Sequence, residues 1–136
     1  MKLVVDTNVL ISAILRDSTT RRLLRTTREE IFFPQSVVEE LWQHWDMLLE
    51  RSMMTEENLR QLVGLFLGQG SIVPLSLLRL HWEKAAAVMD AIDPDDTMVV
   101  ACALAVQADA IWTEDKHFLQ QSIVKVVTTE ELSKML

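Results

Sequence analysis

The chain has few of the residues that define several common protein classes. One cysteine, Cys102, occurs in its 136 residues, which excludes an internal disulfide and is too few for a cysteine-based zinc site. Only three glycines and three prolines are present, so long flexible linkers are not expected. No apolar run approaches the roughly 18 residues that span a bilayer, and the run at residues 3–5 is too short for a signal peptide. We therefore expect a soluble cytoplasmic protein with no membrane partner.

Basic residues are also in the minority. The net charge of -7 argues against a general nucleic-acid binder, which usually carries a broad basic face. Hydrophobic residues make up 49% of the chain, enough to build the core of a helix-covered sheet. A length of 136 residues fits one domain, so we predict a single domain over residues 1–136.

Short apolar segments alternate with helical ones along the whole chain. The predicted strands cover residues 2–5, 31–33, 71–73, 110–113 and 123–127. The helices between and after them are predicted near residues 7–14, 20–27, 36–48, 55–67, 78–91, 96–107 and 129–135. Each connection between strands is long enough for a parallel crossover. The pattern predicts a three-layer α/β domain with a five-stranded parallel sheet.

Four acidic residues fall at informative places in this pattern. Asp6 and Asp115 follow predicted strands, whereas Glu40 and Asp96 lie in early helical turns. Ligand sites in open parallel sheets gather at the carboxyl ends of the strands, so these four carboxylates are expected to converge. Such a cluster repels itself unless a divalent cation binds within it. The sequence therefore predicts a carboxylate metal site, which points to phosphate chemistry.

Helix capping is the competing explanation for several of these acids. Asp6 can cap the first helix, and Asp93 followed by Pro94 is a typical helix start. One aspartate suffices for a cap, however, and this second start also contains Asp95 and Asp96. An aspartate cap alone therefore explains only part of the pattern.

Glu40 lacks such a structural explanation. Ser36 and Glu39 have the spacing of a capping box, which leaves Glu40 beside the buried face of its helix without a partner. The three histidines, His44, His81 and His117, have no mutual ligand spacing, and we interpret them as surface or core residues. His44 lies one helical turn after Glu40 and is a candidate for supporting it.

Taken in order, four segments resemble the PIN-domain family. They are the residues 4–10 (VVDTNVL), 36–41 (SVVEEL), 93–105 (DPDDTMVVACALA) and 108–116 (ADAIWTEDK). Each segment is a weak signal alone, whereas their order and spacing together are specific and cover nearly the whole chain. The branch that the chain resembles most is the toxin component of prokaryotic toxin–antitoxin pairs, the VapC-type ribonucleases.

The resemblance carries expectations about the site and the assembly. It implies a sheet of strand order 3-2-1-4-5, dependence on Mg²⁺ or Mn²⁺, an antitoxin partner and a homodimer. The residues to which it gives roles are the acidic quartet Asp6, Glu40, Asp96 and Asp115, the auxiliary carboxylate Asp93, and the polar supports Asn8 and Thr113. Family members often have glycine before the last aspartate, where this chain has Glu114, so the local geometry or charge is expected to differ.

The function implied is a metal-dependent endoribonuclease that hydrolyses RNA. Alternatives that keep the fold are a nuclease for DNA or another phosphoester, and a PIN domain that binds without catalysis. A receiver-like signalling domain would need an aspartate at the end of the third strand, and the segment 71–75 supplies none.

Four arginines lie mostly on one face of the predicted second helix, and they are Arg21, Arg22, Arg25 and Arg28. One interpretation is a solvated face that pairs with nearby glutamates. We predict instead that this face contacts RNA phosphates. The expected homodimer would use part of an apolar surface formed by Trp42, Trp45, Leu49, Leu59, Leu62, Val63 and Phe66.

Overall fold

A five-stranded parallel sheet forms the centre of the computed structural model, which describes residues 1–136. The strands are β1 (Lys2–Val5), β2 (Glu30–Pro34), β3 (Gly70–Val73), β4 (Ala110–Trp112) and β5 (Val126–Val127). Their order across the sheet is β3-β2-β1-β4-β5, and every neighbouring pair is parallel. The predicted fold class and strand order are confirmed.

Nine α-helices cover the sheet. They are α1 (Thr7–Leu15), α2 (Thr19–Thr26), α3 (Gln35–Gln43), α4 (Trp45–Ser52), α5 (Glu56–Leu67), α6 (Leu75–Arg79), α7 (Trp82–Met89), α8 (Thr97–Val106) and α9 (Thr129–Met135). Short 3-10 turns occupy Pro94–Asp96 and Lys116–Gln120. None of the helices is both long and apolar enough to cross a membrane.

The core explains why β1 lies at the middle of the sheet. Leu3, Val4 and Val5 are completely buried, because β2 and β4 pair with β1 on its two sides and helices cover both faces. The helix α8 packs against β1, β2 and β4, as its almost wholly apolar sequence predicts. All 33 buried apolar residues belong to one cluster. Asp6 is thereby fixed at the carboxyl edge of the central strand.

Several predicted helix boundaries were wrong. The helix predicted near 36–48 divides at His44 into α3 and α4, and the helix predicted over 78–91 divides near residues 80–81 into α6 and α7. The capping box is also absent. The helix α3 begins at Gln35 directly after β2, and Glu39 accepts a hydrogen bond from the Gln35 side chain instead of closing a box with Ser36.

The last strand is shorter than predicted because a side chain organises the segment before it. The amide of Gln121 donates to the carbonyls of Phe118 and Val124, both at 2.8 Å. Its oxygen accepts from the Val124 N–H at 3.0 Å. These bonds hold the apolar residues around 123–124 in a loop, so that only Val126–Val127 pairs with β4.

Part of the apolar surface predicted for a dimer is internal. Leu59, Val63 and Phe66 belong to the core, because α5 packs against α1, α2, α4 and β3. These three residues are therefore not available to a dimer interface. Trp42 remains 46% exposed and lies 4.9 Å from the Trp45 ring, with the Arg60 guanidinium near both. The homodimer itself stays a prediction.

Candidate metal and active site

A cavity of about 230 Å³ opens at the carboxyl edge of the sheet. It is lined by residues from four separate parts of the chain, which are Asp6, Thr7, Asn8, Ile11, Ser36, Glu40, His44, Asp95, Asp96, Val99 and Asp115. All four acids of the predicted quartet are among them. The parallel topology explains this convergence, because β1 and β4 are neighbours and the starts of α3 and α8 lie beside their ends.

Asp6 is the most enclosed of these acids, with 5% of its surface exposed. One carboxylate oxygen, Oδ1, accepts from the Thr7 N–H at 2.8 Å and so caps α1. The other, Oδ2, accepts from the Thr113 hydroxyl at 2.8 Å. Burial raises the pKa of Asp6 above its usual value, against the lowering effect of these two hydrogen bonds, and the charges of Asp115 and Glu40 raise it further. Asp6 combines the predicted cap with a place in the cluster.

Thr113 connects the ends of the two central strands. Its hydroxyl donates to Asp6 and accepts from the Asp115 N–H at 2.9 Å. The Asn8 amide also donates to this hydroxyl, at 3.4 Å. Thr113 and Asn8 thus position the two aspartates that follow β1 and β4. Their role as supports of a metal site stays a prediction.

Asp96 is the clearest departure from a capping role. It occupies the N-cap position of α8, yet its side chain makes no capping hydrogen bond. Its Oδ2 atom is buried and has no hydrogen-bond partner. Burial, followed by the nearby charges of Asp6, Asp93 and Asp115, raises the pKa of Asp96 to about 7. A carboxylate in this position destabilises the fold, so helix capping does not explain it.

Glu40 and Asp95 also reach the cavity from the starts of their helices. Glu40 is half-buried on α3, where its side chain forms neither a hydrogen bond nor an ion pair. Asp95 is exposed and belongs to the 3-10 turn before α8. Glu40 therefore adds to the cavity a carboxylate that has no hydrogen-bond partner.

A second group of side chains extends the cluster outward. One ligand atom from each of four residues lies within 4.8 Å of the others, and the four residues are Asp93, Asp96, Asp115 and His117. Asp93 caps the 3-10 turn by accepting from the Asp95 N–H at 3.1 Å. Asp115 accepts from the His117 N–H at 2.9 Å. The auxiliary acid Asp93 therefore lies where a metal ligand is expected.

The sequence interpretation of His117 as a surface or core residue did not predict that it lies beside the aspartates. Spacing between histidines gave no signal, because the neighbours of His117 in the cluster are aspartates. The usable signal was the Asp115-Lys116-His117 order, since an aspartate that accepts from the N–H two residues later turns the chain back on itself. His44 was considered as a support for Glu40 and does line the cavity.

Glu114 belongs neither to the cavity lining nor to the group of close donor atoms. Its Oε1 atom accepts from the Thr129 N–H at 2.8 Å, in the first turn of α9. The change from the family's usual glycine thus adds a contact to a helix start, where negative charge is favourable.

The four arginines lie outside the cavity. Arg21 donates to the carbonyl oxygens of Ala13 and Ile14, at 2.7 and 2.8 Å, and so satisfies the end of α1. Arg22, Arg25 and Arg28 are exposed, and none of the four lines the acidic cavity. Their contact with a substrate stays a prediction.

The arrangement fits a divalent cation by two criteria. Carboxylate oxygens are the hard ligands that Mg²⁺ and Mn²⁺ take, and several of them meet here. The unpartnered Asp96 Oδ2 is a buried acceptor that a cation would satisfy. The combination of these oxygen ligands, rather than any single residue, makes the site suitable for a divalent cation.

Comparison with known proteins agrees with this geometry. Residues 4–136 match the family description of the PIN domain. The chain belongs to the PIN-domain family. PIN domains are generally nucleases, and the acidic cluster that this chemistry requires is present. No curated protein sequence matches the chain.

Solved structures share the fold of this PIN domain. FitAcB from Neisseria gonorrhoeae has a TM-score of 0.69 and 23% identity, over 94% of this chain and 98% of that one. VapBC-1 from nontypeable Haemophilus influenzae has a TM-score of 0.70 and 16% identity, over 96% and 99%. VapBC2 from Rickettsia felis, solved bound to a DNA fragment from its promoter, has a TM-score of 0.69 and 16% identity, over 94% and 98%.

Proposed function

We propose that this PIN domain is a metal-dependent endoribonuclease that cuts RNA phosphodiester bonds, and that it is the toxin of a toxin–antitoxin pair. The observation that carries the proposal is the convergence of Asp6, Glu40, Asp96 and Asp115 on one cavity. Asp6 and Asp115 cap helix starts, whereas Glu40 makes no side-chain hydrogen bond and Asp96 makes no cap, so capping explains only two of the four acids. Clustered carboxylates have no structural benefit in a binding scaffold.

The acids would hold Mg²⁺ or Mn²⁺ through Asp6, Glu40, Asp93, Asp96 and Asp115. When bound, such an ion activates water for attack on phosphorus and stabilises charge on the phosphoryl and leaving oxygens. Thr113 and Asn8 keep the two strand-end aspartates in place through hydrogen bonds. The cavity is open to solvent and lined by polar groups, which suits a polar phosphate backbone more than an apolar ligand.

RNA rather than another phosphoester is the proposed substrate because the chain resembles the VapC-type ribonucleases. The VapBC names among the structural relatives support the same branch, and with it an antitoxin partner. The exposed arginines Arg22, Arg25 and Arg28 are the candidates for contacting RNA phosphates beyond the cavity, because Arg21 is already bonded to the end of α1. Any RNA would have to extend from the cavity to reach them.

A cleavage assay on mixed RNA and DNA tests the proposal. Wild type should cut RNA with Mn²⁺ or Mg²⁺ and should lose activity in EDTA. Asp96→Asn should be inactive, whereas Asp90→Asn, which changes an exposed aspartate outside the cavity, should cut normally. Cleavage of DNA alone would assign the alternative nuclease function, and RNA cleavage that persists in EDTA would refute the proposal.

The toxin assignment has its own test. Induced expression of wild type should arrest growth of a bacterial host, and expression of Asp96→Asn to the same level should not. Equal growth in both cultures would contradict the toxin role while leaving the nuclease assay to decide the chemistry.

A further inference from the structure

The acidic group contains one nitrogen donor, and its position is defined by the backbone. The backbone N–H of His117 donates to Asp115 Oδ1 at 2.9 Å. This bond turns the chain so that the imidazole ring lies near the carboxylates. The ring atom Nδ1 then lies 3.3 Å from Asp93 Oδ2 and 3.3 Å from Asp115 Oδ1. About half of the His117 side chain is exposed, so the ring can adjust without disturbing the core.

The spacing of this group corresponds to the ligands of one ion. Donor atoms of Asp93, Asp96, Asp115 and His117 lie within 4.8 Å of one another. Ligands on opposite sides of a cation are separated by about twice a metal–ligand distance of roughly 2.0–2.6 Å, so the atoms can share a cation without movement of the backbone. Of this group, Asp96 and Asp115 also line the acidic cavity. Asp6 and Glu40 line that cavity too, but they are not members of the group and supply oxygen alone.

We propose that His117 is a metal ligand and that its nitrogen makes the site prefer Mn²⁺ over Mg²⁺. Mg²⁺ is a hard ion that takes oxygen ligands and keeps its waters, and it gains little from an imidazole. Transition-metal ions accept imidazole nitrogen readily, so a mixed nitrogen and oxygen group shifts the balance toward Mn²⁺. The inference rests on the proposed function, because it takes the acidic cavity to be a cation site.

A different role for His117 predicts a different observable. If the imidazole only pairs with Asp93 and Asp115, it is a neighbour of the ligands and its nitrogen never binds the ion. Pulsed electron paramagnetic resonance of bound Mn²⁺ separates the two roles, because a coordinated imidazole nitrogen gives a ¹⁴N coupling. Wild type should show this coupling, and His117→Asn should lose it.

His44 provides the matched control. It lines the acidic cavity, which His117 does not, and it lies outside the group of close donor atoms. His44→Asn should therefore keep the nitrogen coupling. Loss of the coupling in His44→Asn and its retention in His117→Asn would overturn the assignment of His117.

Calorimetric titration measures the preference directly. The ratio of Mn²⁺ to Mg²⁺ affinity should fall at least about tenfold in His117→Asn, mainly through weaker Mn²⁺ binding, since even outer partners of metal ligands are worth that much. The ratio should be unchanged in His44→Asn. An unchanged ratio in His117→Asn would contradict the proposal.

The outcomes distinguish this inference from the proposed function. Bound Mn²⁺ without nitrogen coupling in wild type overturns the role of His117 and leaves the metal-dependent nuclease intact. Absence of any Mn²⁺ or Mg²⁺ binding overturns both. If His117→Asn fails to fold, the wild-type and His44→Asn spectra still decide between the two roles of the imidazole.

Discussion

The two edges of the central sheet use acidic residues in opposite ways. At the amino edge, the Asp109 carboxylate accepts from the Lys2 N–H at 2.7 Å, and Glu29 pairs with the terminal amine of Met1. At the carboxyl edge, several acids face each other, and Asp96 Oδ2 is buried without a partner. An acid with a donor stabilises the fold, and an acid without one requires another explanation. Mutation of Asp96 and mutation of Asp109 should accordingly have opposite effects on the stability of the metal-free fold.

The largest expected difference concerns catalysis. Asp96→Asn should reduce RNA cleavage by at least about a hundredfold, because the buried acceptor that would bind the cation loses its charge. Asp109→Asn, the same change at the amino edge, should leave cleavage unaffected. Single-turnover rates with saturating Mn²⁺ measure both. Similar losses in the two variants would show that general instability, and not the site, limits the rate.

The next difference concerns the response to metal. Mn²⁺ at about 100 times its dissociation constant should stabilise wild type by about 2.7 kcal/mol, which corresponds to roughly 8 °C in a domain of this size. Asp6→Asn and Asp96→Asn should show much smaller shifts, whereas Asp109→Asn should show the full shift. Melting curves in EDTA and in Mn²⁺ provide the measurement. A full shift in Asp96→Asn would place the ion elsewhere.

A smaller expected effect is the pH dependence of folding stability in metal-free protein, which Asp96 should dominate. The folded pKa of Asp96 is raised to about 7, so between the unfolded value of 3.8 and that pKa the folded state holds a proton that the unfolded state has lost. Its contribution to stability is therefore present at low pH and is lost as the pH rises through this window. We expect a loss of about 1–2 kcal/mol after allowance for solvent screening.

Denaturant titrations from pH 4 to pH 8 in EDTA test this expectation. Wild type should become less stable as the pH rises, and Asp96→Asn should show a flatter profile and be the more stable protein at pH 8. Parallel profiles for the two proteins would mean that Asp96 ionises without cost.

The smallest effect belongs to the amino edge alone. Asp109→Ala should destabilise the fold by about 1 kcal/mol, because the Lys2 N–H at the start of β1 loses its acceptor. Metal binding and cleavage should not change. Equilibrium unfolding beside the Mn²⁺ titration would detect either deviation, and stability equal to wild type would remove the structural role given to this acid.

The convergence of acids at the carboxyl edge of the sheet could be predicted from sequence because two strong constraints act there. Strands that are buried on both faces fix the positions of Asp6 and Asp115, which follow them, and an apolar helix fixes Asp96 beside them. The convergence of the quartet then follows from parallel topology. Thr113 was assigned a supporting role by resemblance, and the hydrogen bonds explain that role.

Elements that depend on single side-chain contacts were not predictable in the same way. Gln121 shortens β5 through three hydrogen bonds that no periodicity encodes. The Ser36 and Glu39 pattern suited a cap, but β2 continues to Pro34 and leaves no residue between strand and helix for a cap at Ser36. His117 joins the cluster through a backbone turn at Asp115, which spacing between histidines does not describe.

The hydroxyl of Thr113 has only one hydrogen, and this fixes the direction of every bond around it. The Asp115 N–H and the Asn8 amide nitrogen can only donate, so the hydroxyl must give its hydrogen to Asp6 Oδ2. Thr113 is 1% exposed, which shelters that hydrogen from exchange with water. In nuclear magnetic resonance spectra it should persist as a slowly exchanging hydroxyl signal. Its chemical shift would report changes at Asp6 without any label in the cavity.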